Sequence, residues 1–529
     1  MPVNIQYYYC MKKIILAAPV LLFTINSFAQ VPEDALKFSW FGPNGTARTQ
    51  AIGGAIGALG ADVSANYVNP AGLAFFKTND FVISPGFSFL TNKSNFRGDV
   101  KSDNKSFFNL GTSGAVFGFN NNGSSWNSSA FSIGVSTITN FNSRISYTGR
   151  NDFSSFGEQY AAEAASSGLD INDVAGSDNV SIGTRLAAYT YLIDTLTIPG
   201  NTSPDVVSMA QWKHLKNGSP FLVSQQNNIQ TTGGITEIAV GFASAHMDKL
   251  YLGGSLGIPI VSYERNSVIT ETDATGDKDN NFEHSTLTEK YTSKGVGLNL
   301  KLGAIYKPAD QLRLGLAVHS PTVYGLKDTY YASMTTNTEN YVHTNNSTIT
   351  ASSDKTLGLQ PQYKYDLNSP WRFMLSAAYL INAVEDVSQQ KGFITADVEY
   401  VTYKSNRYKS AGENTDNTYY NGVNQAIKAY YKNAFNFRVG GELKFTTIMA
   451  RLGFSYYMDP YKDSELKGNK MFLSGGLGYR NKGMFIDLTY VQSIINDVNF
   501  PYRLPDKANT FAMVKGTGGT IAATVGLKF

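Results

Sequence analysis

Apolar and polar residues alternate with a period of two from Phe81 to the C-terminus. In the last run, Ile521, Ala523, Val525, Leu527 and Phe529 fall on one side, with Thr520, Thr524 and Lys528 on the other. "QLRLGLAVHS" sets Leu312, Leu314, Leu316 and Val318 against Arg313, Gly315 and His319. "GMFIDLTYV" sets Met484, Ile486, Leu488 and Tyr490 against Asp487 and Thr489. Successive side chains of a strand point to opposite faces, so each run predicts a strand with one apolar face. A soluble sandwich alternates in the same way. These runs, however, often reach 10 to 14 residues, long for an ordinary strand and suited to a tilted bilayer crossing.

About fourteen such segments follow one another, an even number of the kind closed transmembrane barrels use. Their linkers alternate. Short ones are "NNNGSSWN" (120–127), "MDK" (247–249), "KPAD" (307–310), the turn near 382–391, "FTT" (445–447) and "NKG" (481–483). Long polar ones are 149–232, 265–294, 327–369, 405–433 and 493–517. A barrel with a periplasmic and an extracellular side sorts its loops this way, and a sandwich has no reason to. The prediction is an all-β chain: a 14-stranded antiparallel transmembrane β-barrel, 79–529, with both termini on the short-turn side. Tyrosines near segment ends (Tyr251, Tyr263, Tyr306, Tyr379, Tyr400, Tyr403, Tyr456, Tyr457, Tyr479) are candidates for interfacial girdles. In the longest loop, "SFGEQYAAEAASSGL" and "SIGTRLAAYTYLIDTL" have helical composition. "PDVVSMAQWKHL" reads as a helix starting at Pro204 and Asp205.

Composition narrows the class. Charged residues are 16% of the chain, below the ~25% of soluble domains. A net charge of +3, well scattered, gives no electrostatic footprint for nucleic acid. Mean hydropathy is −0.20, too polar for a bundle of membrane helices and ordinary for a barrel with polar inward residues. The opening residues read as an export signal: Lys12-Lys13, an apolar run from Ile14 to Ile25, then Ser27-Phe28-Ala29 with small residues where cleavage needs them. Cleavage is expected after Ala29, within a signal peptide 1–29 whose initiator is Met11. The single cysteine, Cys10, precedes that cut, so the mature chain has no thiol chemistry.

Between the signal and the first strand, residues 30–78 fit no strand. "GGAIGALGADVSANYVNPAGLAFF" is rich in residues that let backbones approach closely, and Asn69-Pro70 halts any helix abruptly. A compact segment attached to the periplasmic end of the first strand can fold back into the lumen as a plug. Elsewhere the chemistry is sparse. The "GGAIG" run lacks the Lys-Ser/Thr of a phosphate loop. His214, His246, His284, His319 and His343 have no ligand spacing, and no Ser-His-Asp arrangement can be assembled, so neither a cofactor nor enzymatic activity is expected. "DATGDKDNN" (273–281) is acidic but lacks the calcium-loop pattern.

Two blocks carry a family resemblance. Gly53–Ala74 contains Asn69, Pro70 and Ala71 as an Asn-Pro-Ala hatch motif. "GVGLNLKLGAIYKPADQLRLGLAVHSP" (Gly295–Pro321) resembles a central hairpin. Together they resemble the outer-membrane long-chain fatty-acid transporter family, the FadL type, which includes toluene and other aromatic-hydrocarbon channels. The resemblance implies an integral outer-membrane barrel, plugged by an N-terminal hatch, that passes hydrophobic molecules without an energy source. It implies a first ligand groove among extracellular loops, a second site in the lumen, and a sideways exit where the third strand kinks, with the Asn-Pro-Ala turn as the moving stopper. Implied partners are outer-membrane lipid, a hydrophobic small molecule, and the barrel-assembly machinery through Phe529. Arg313 and Arg438 fall on inward sides and are candidates to meet a ligand carboxylate; pairing with lumen acids such as Glu442 or Asp487 is the competing reading. A non-transport barrel, a receptor or adhesin displaying its long loops, is the alternative function.

Overall fold

The structure, a computed structural model, describes residues 32–121, 123–341, 347–382, 391–411 and 418–529. The signal segment and residues 383–390 of the turn near 382–391 lie outside them. Fourteen antiparallel spans form one closed sheet: β1 (80–96), β2 (99–120), β3 (126–151), β4 (Val223–His246), β5 (Leu250–Asp273), β6 (His284–Ala309), β7 (312–337), β8 (348–381), β9 (392–410), β10 (Ala434–Phe445), β11 (Ile448–Tyr457), β12 (Lys470–Asn481), β13 (Met484–Asn499) and β14 (Ala512–Lys528). β14 returns to pair with β1, as in Phe87 opposite Ile521. The backbones of Asn79 and Phe529 exchange two hydrogen bonds at the seam, 3.1 and 3.0 Å. Closure leaves no sheet edge to lipid there, which a membrane-spanning sheet requires.

The apolar faces read from the sequence point outward. Leu314, Leu316, Ile486, Leu488, Ile521 and Val525 are all exposed, and with their neighbours they make a lipid-facing belt. On β5 the belt runs from Leu252 to Ile260 and then stops, because Ser262, Glu264 and Asn266 take over the outward face. The strand continues to Asp273. The predicted long loops are therefore shorter than expected. Residues 265–294 are strand except for 274–283, 149–232 contracts to 152–222, and 493–517 contracts to 500–511. Above the bilayer neither face need be apolar, so the alternation that marks the belt disappears while the ladder persists. The girdle expectation also needs correction. Tyr306, Tyr379 and Tyr479 are exposed, but Tyr251, Tyr263, Tyr403 and Tyr457 point inward and are buried.

Residues 152–222 form a cap. Helices Gly157–Ser167 and Ile182–Tyr189 lie where helical composition was read. The expected helix start at Pro204-Asp205 is displaced: Asp205–Ser208 pairs with Ile193–Leu196 as a two-stranded ribbon, and the helix covers Trp212–Asn217. Pairing overrode the local helix-start signal. Phe156, Leu186, Leu192, Ile193 and Met209 pack onto Ile269, Leu287 and Met334 of the strand tops, with Tyr502 and Leu504 of the last loop. Buried Glu271 of β5 holds the cap down by accepting from Ser155 Oγ, Phe156 N (3.0 Å) and Gln225 Nε2 (2.7 Å).

The N-terminal segment lies inside the barrel. It has little secondary structure: α1 (Pro32–Lys37), α2 (Ala47–Ala51), α3 (Ala65–Val68) and a 3₁₀ turn Pro70–Phe75. Its backbone groups are met by the wall instead, as buried polar groups demand. Thr524 Oγ1 accepts from Ala47 N (2.7 Å), Thr489 Oγ1 donates to Ala47 O (2.6 Å), and Ser474 Oγ donates to Ala51 O (3.0 Å). Inward glycines admit this close approach. A Cβ on Gly253 would stand 2.6 Å from the Pro70 carbonyl, and one on Gly453, Gly440 or Gly303 would strike Ile52, Gly53 or Asn69.

Gly253→Val is therefore expected to destabilise the seated barrel by ~2 kcal/mol through overpacking against backbone. Gly254→Val, whose Cβ meets nothing nearer than the Leu302 side chain at 3.4 Å, should change little. The temperature at which the compact band converts to the unfolded band on a heat-modifiability gel measures both.

Candidate functional site: a lumen cavity between hatch and wall

Three layers fill the lumen. The floor is the hatch turn. Asn69 caps the 3₁₀ turn by accepting from Ala71 N (3.2 Å), and its amide donates to Gly57 O (2.6 Å) and to Ala304 O of β6 (3.3 Å). One side chain thus fixes the turn, braces the hatch internally and ties it to the wall, while Pro70 sets the backbone at the first position of the turn. Arg48 of α2 lies 3.6 Å from Glu442, which with Asp487 clasps the fully buried Arg451 at 2.6 Å each.

The roof is α1 and its surroundings. Phe38 packs edge-on against Phe141 and Tyr263 at 5.7 and 6.0 Å. Tyr291, Tyr365, Tyr408 and Tyr420 complete an aromatic shell in which Leu36 is also buried. Glu33 reaches Arg503 of the last extracellular loop. The hatch therefore traverses the lumen from the periplasmic seam to the extracellular side.

Between floor and roof is a cavity of about 110 Å³. Phe41, Pro43, Tyr67, Val68, Ile138 and Met374 are its apolar lining. Ionic groups are interleaved with these, Arg372 lying 4.7 Å over the Phe41 ring and Arg438 3.9 Å from the Met374 sulfur. Lys301 Nζ meets Glu237 at 2.5 Å across the intervening Gly257, whose missing side chain leaves room for the pair. Glu399 takes Arg438 at 3.1 Å and Arg372 at 3.6 Å. Arg372 also donates to Ser39 O (2.5 Å), and His319 Nε2 bonds Val68 O (2.9 Å), so wall and hatch share these groups.

Of the two arginines singled out in the sequence, only Arg438 lines the cavity, and it meets Glu399, not Glu442 or Asp487. Arg313 sits lower, donating to Leu59 O (2.5 Å) with its guanidinium 4.2 Å over Phe75. Glu237, Lys301, Arg372 and Glu399 went unremarked in the sequence, although each is a charge at an inward position of an alternating run. The acidic stretch 273–281 is internally satisfied: Asp273 accepts from Thr275 and Asn280, and Lys213 binds Asp277 at 2.6 Å, holding that carboxyl below its usual range. Among the described residues no cluster of three or more metal-ligating groups occurs.

The wall beside the cavity is interrupted. β2 and β3 pair from Asn120 opposite Ser128 up to Ser113 opposite Val135, and there the ladder ends. Above it, residues 99–110 pair only with β1, and 143–151 only with β4. The cause is local to β3. Asn140 Oδ1 accepts from Asn142 N (2.8 Å) in a side-chain turn, the register slips between Thr137 and Thr139, and Phe141 turns inward to the aromatic shell. Only side-chain bridges cross the break higher up, Asp103 accepting from Ser146 N and Oγ (2.7 and 2.6 Å). Thr112, Ser136 and Ile138, at the lower lip of this break, also line the cavity.

Asn69→Ala removes the turn's cap and both carbonyl partners, an expected loss of ~2 kcal/mol. Asn69→Asp retains the bond to Ala71 N but no donor, and should lose nearly as much. Denaturant titration followed by tryptophan fluorescence compares the two.

No family model matches the chain, and no curated relative does. Solved structures do. The chain is similar to a FadL homologue of Pseudomonas aeruginosa at 14% identity, covering 93% of this chain and 100% of that one, with a TM-score of 0.53. It is similar to the toluene transporter TodX of P. putida at 13% identity, covering 92% and 98%, with a TM-score of 0.50. With its strand number, its closure and its plugged lumen already defined, the chain has the fold of the FadL-type channels.

Proposed function

We propose that this protein is an outer-membrane channel for passive uptake of hydrophobic compounds, gated by its hatch and emptied sideways into the bilayer. The observation that carries the reading is the cavity's position. It is bordered by hatch residues 41–44, Gly54, Tyr67 and Val68, and its lining includes the lower lip of the broken β2–β3 ladder. The lip lies beside the lipid-facing Ile133 and Ile83. An oily molecule leaving there enters lipid directly. The alternative, descent into periplasmic water, costs ~0.8 kcal/mol for every CH₂ exposed. In this reading Asn69, Pro70 and Ala71 are the pinned end of the gate. The segment 38–45, which borders the cavity with few regular hydrogen bonds of its own, is the part that shifts to let cargo reach the lip. The fold shared with a FadL homologue and a toluene transporter supports the same reading.

Cells lacking the protein are expected to take up labelled oleate or toluene-like molecules more slowly than cells supplied with it. Pro70→Gly and a deletion of residues 69–71 should alter that rate. Unchanged uptake for every hydrophobic compound would remove the reading and leave the receptor or adhesin alternative.

The lip gives a sharper test. Thr112 Oγ1 and Ser136 Oγ are 3.0 Å apart across it, so Thr112→Cys with Ser136→Cys places two sulfurs within disulfide reach. Oxidation should abolish most uptake and reduction restore it, with Thr112→Cys alone unaffected by either treatment.

A further inference from the structure

Above the belt, the outward face of β6 to β9 sets cations directly against one another. Lys294 of β6 stands opposite Lys327 of β7, and Lys327 stands opposite Lys364 of β8. All three are exposed, as are Arg407 and Lys409 of β9. Side chains directly opposite in an antiparallel ladder have Cβ atoms only ~5 Å apart, and like charges so placed are destabilising. Outward acids on these strands and on β5 do little to relieve the row. Glu264 is taken by Lys290 at 3.7 Å and by the Asn266 amide. Asp366, opposite Lys409, is a single carboxylate among five cations, and none of the five forms an ion pair among the described residues. The same opposition recurs across the barrel, where exposed Lys93 of β1 stands opposite exposed Lys515 of β14.

The height of the row decides what lies against it. On β6, Lys294 is the next outward position above Val296, and Val296 and Leu298 are both lipid-facing. So are Val323, below Lys327 on β7, and Ile260, opposite Val296 on β5. Two residues of a strand tilted by ~45° rise ~5 Å. The headgroup zone extends ~5–7 Å beyond the hydrocarbon on each side of a bilayer. The lysines therefore stand at headgroup depth, on the long-loop side, directly over apolar strand. An acyl chain lying on Val296, Leu298 and Val323 brings its own headgroup to the row. A soluble anion or a protein partner would leave the apolar half of this surface without a part in binding.

We propose that Lys294, Lys327 and Lys364, flanked by Arg407 and Lys409, form a docking site for the phosphorylated headgroup of an outer-leaflet lipid. Phosphate supplies the negative charge that this stretch of wall lacks, and two opposed ammonium groups can share one phosphate through charge-assisted bonds. Basic clusters at a membrane surface attract anionic lipid in the same way. The repulsion along the row is then relieved in the membrane by a lipid held there. The site is independent of the transport reading.

The test is equilibrium binding to the purified full-length protein in neutral detergent. The probes are labelled diphosphoryl lipid A, the same lipid A after phosphatase treatment, and inorganic phosphate. The wild type is expected to bind the phosphorylated lipid ~tenfold or more tightly than the dephosphorylated one. Inorganic phosphate, which cannot use the apolar strand, should bind far more weakly. Lys294→Gln combined with Lys327→Gln should lower affinity for the phosphorylated lipid by ~tenfold or more and leave that for the dephosphorylated lipid unchanged. Lys216→Gln, at an exposed lysine of the cap helix Trp212–Asn217, should change neither. Removing opposed like charges costs the fold nothing, so the double variant should keep the wild-type transition on a heat-modifiability gel without lipid. Added phosphorylated lipid A should raise that transition for the wild type only. If the double variant gives no compact band, Lys364→Gln makes the same comparison. Equal affinity for the two lipids overturns the proposal, as does unchanged affinity in the variant or an equal loss in Lys216→Gln. Inorganic phosphate bound as tightly as phosphorylated lipid A also overturns it.

Discussion

The structure depends on one constraint: a chain segment with only short helical turns is buried inside a closed sheet, so the sheet's inner surface must supply its remaining hydrogen-bond partners at backbone distance. Both halves of this requirement are visible in the wall. Thr524, Thr489 and Ser474 offer hydroxyls to the bonding groups of α2 and its flanks. Gly253, Gly303, Gly440 and Gly453 withdraw side chains where the hatch backbone lies against the strands. An unpaired buried amide or carbonyl costs ~1–3 kcal/mol, so these contacts decide whether the hatch stays inside. The cavity borders a stretch with few such contacts, residues 41–44, between the clamped turn at Asn69 and the aromatic shell around Phe38.

That partition explains how one lumen holds two chemistries. The shell around α1 is aromatic and buries Leu36 and Phe38, whereas the floor is tied by Arg451 between Glu442 and Asp487. Breaking such a buried ion group by removing one partner costs ~3–5 kcal/mol. The cavity lies where the two regimes meet, lined by hatch residues such as Phe41 and Tyr67 and by the ions Glu237, Lys301, Arg372, Glu399 and Arg438 of β4, β6, β8, β9 and β10. The break in the β2–β3 ladder falls at the same height, because Phe141, drawn into the aromatic shell, pulls the upper part of β3 off the edge of β2.

Much of this was legible in the sequence. Leu314, Leu316, Ile486, Leu488 and Ile521 betray the lipid-facing side because lipid demands apolar residues at alternate positions, and the short turns follow from strict alternation of direction. The upper strands were not legible. Outward Ser262, Glu264 and Asn266 and inward Arg265 and Ser267 are polar alike, so a ladder set by backbone hydrogen bonds leaves no pattern in side chains. Asp205 resembled a helix start because local signals cannot report the ribbon partner at 193–196. The cavity's ions were missed for a similar reason: Glu237 and Lys301 are 64 residues apart and meet across the folded wall, where Gly257 leaves room for the pair. Asn69-Pro70-Ala71, by contrast, announces itself, since the cap and the proline act within three residues.

The unequal heights of belt and strand set how far the roof of the barrel stands from lipid. On β5 the apolar belt ends at Ile260, yet the strand rises through residues 261–273, ~40 Å of ladder at ~3.3 Å per residue. Tilted by ~45°, this is a chimney standing roughly 30 Å clear of the bilayer surface. Molecules dissolved in the surrounding water therefore encounter its roof well before they reach lipid, whereas those already partitioned into the membrane meet only the belt.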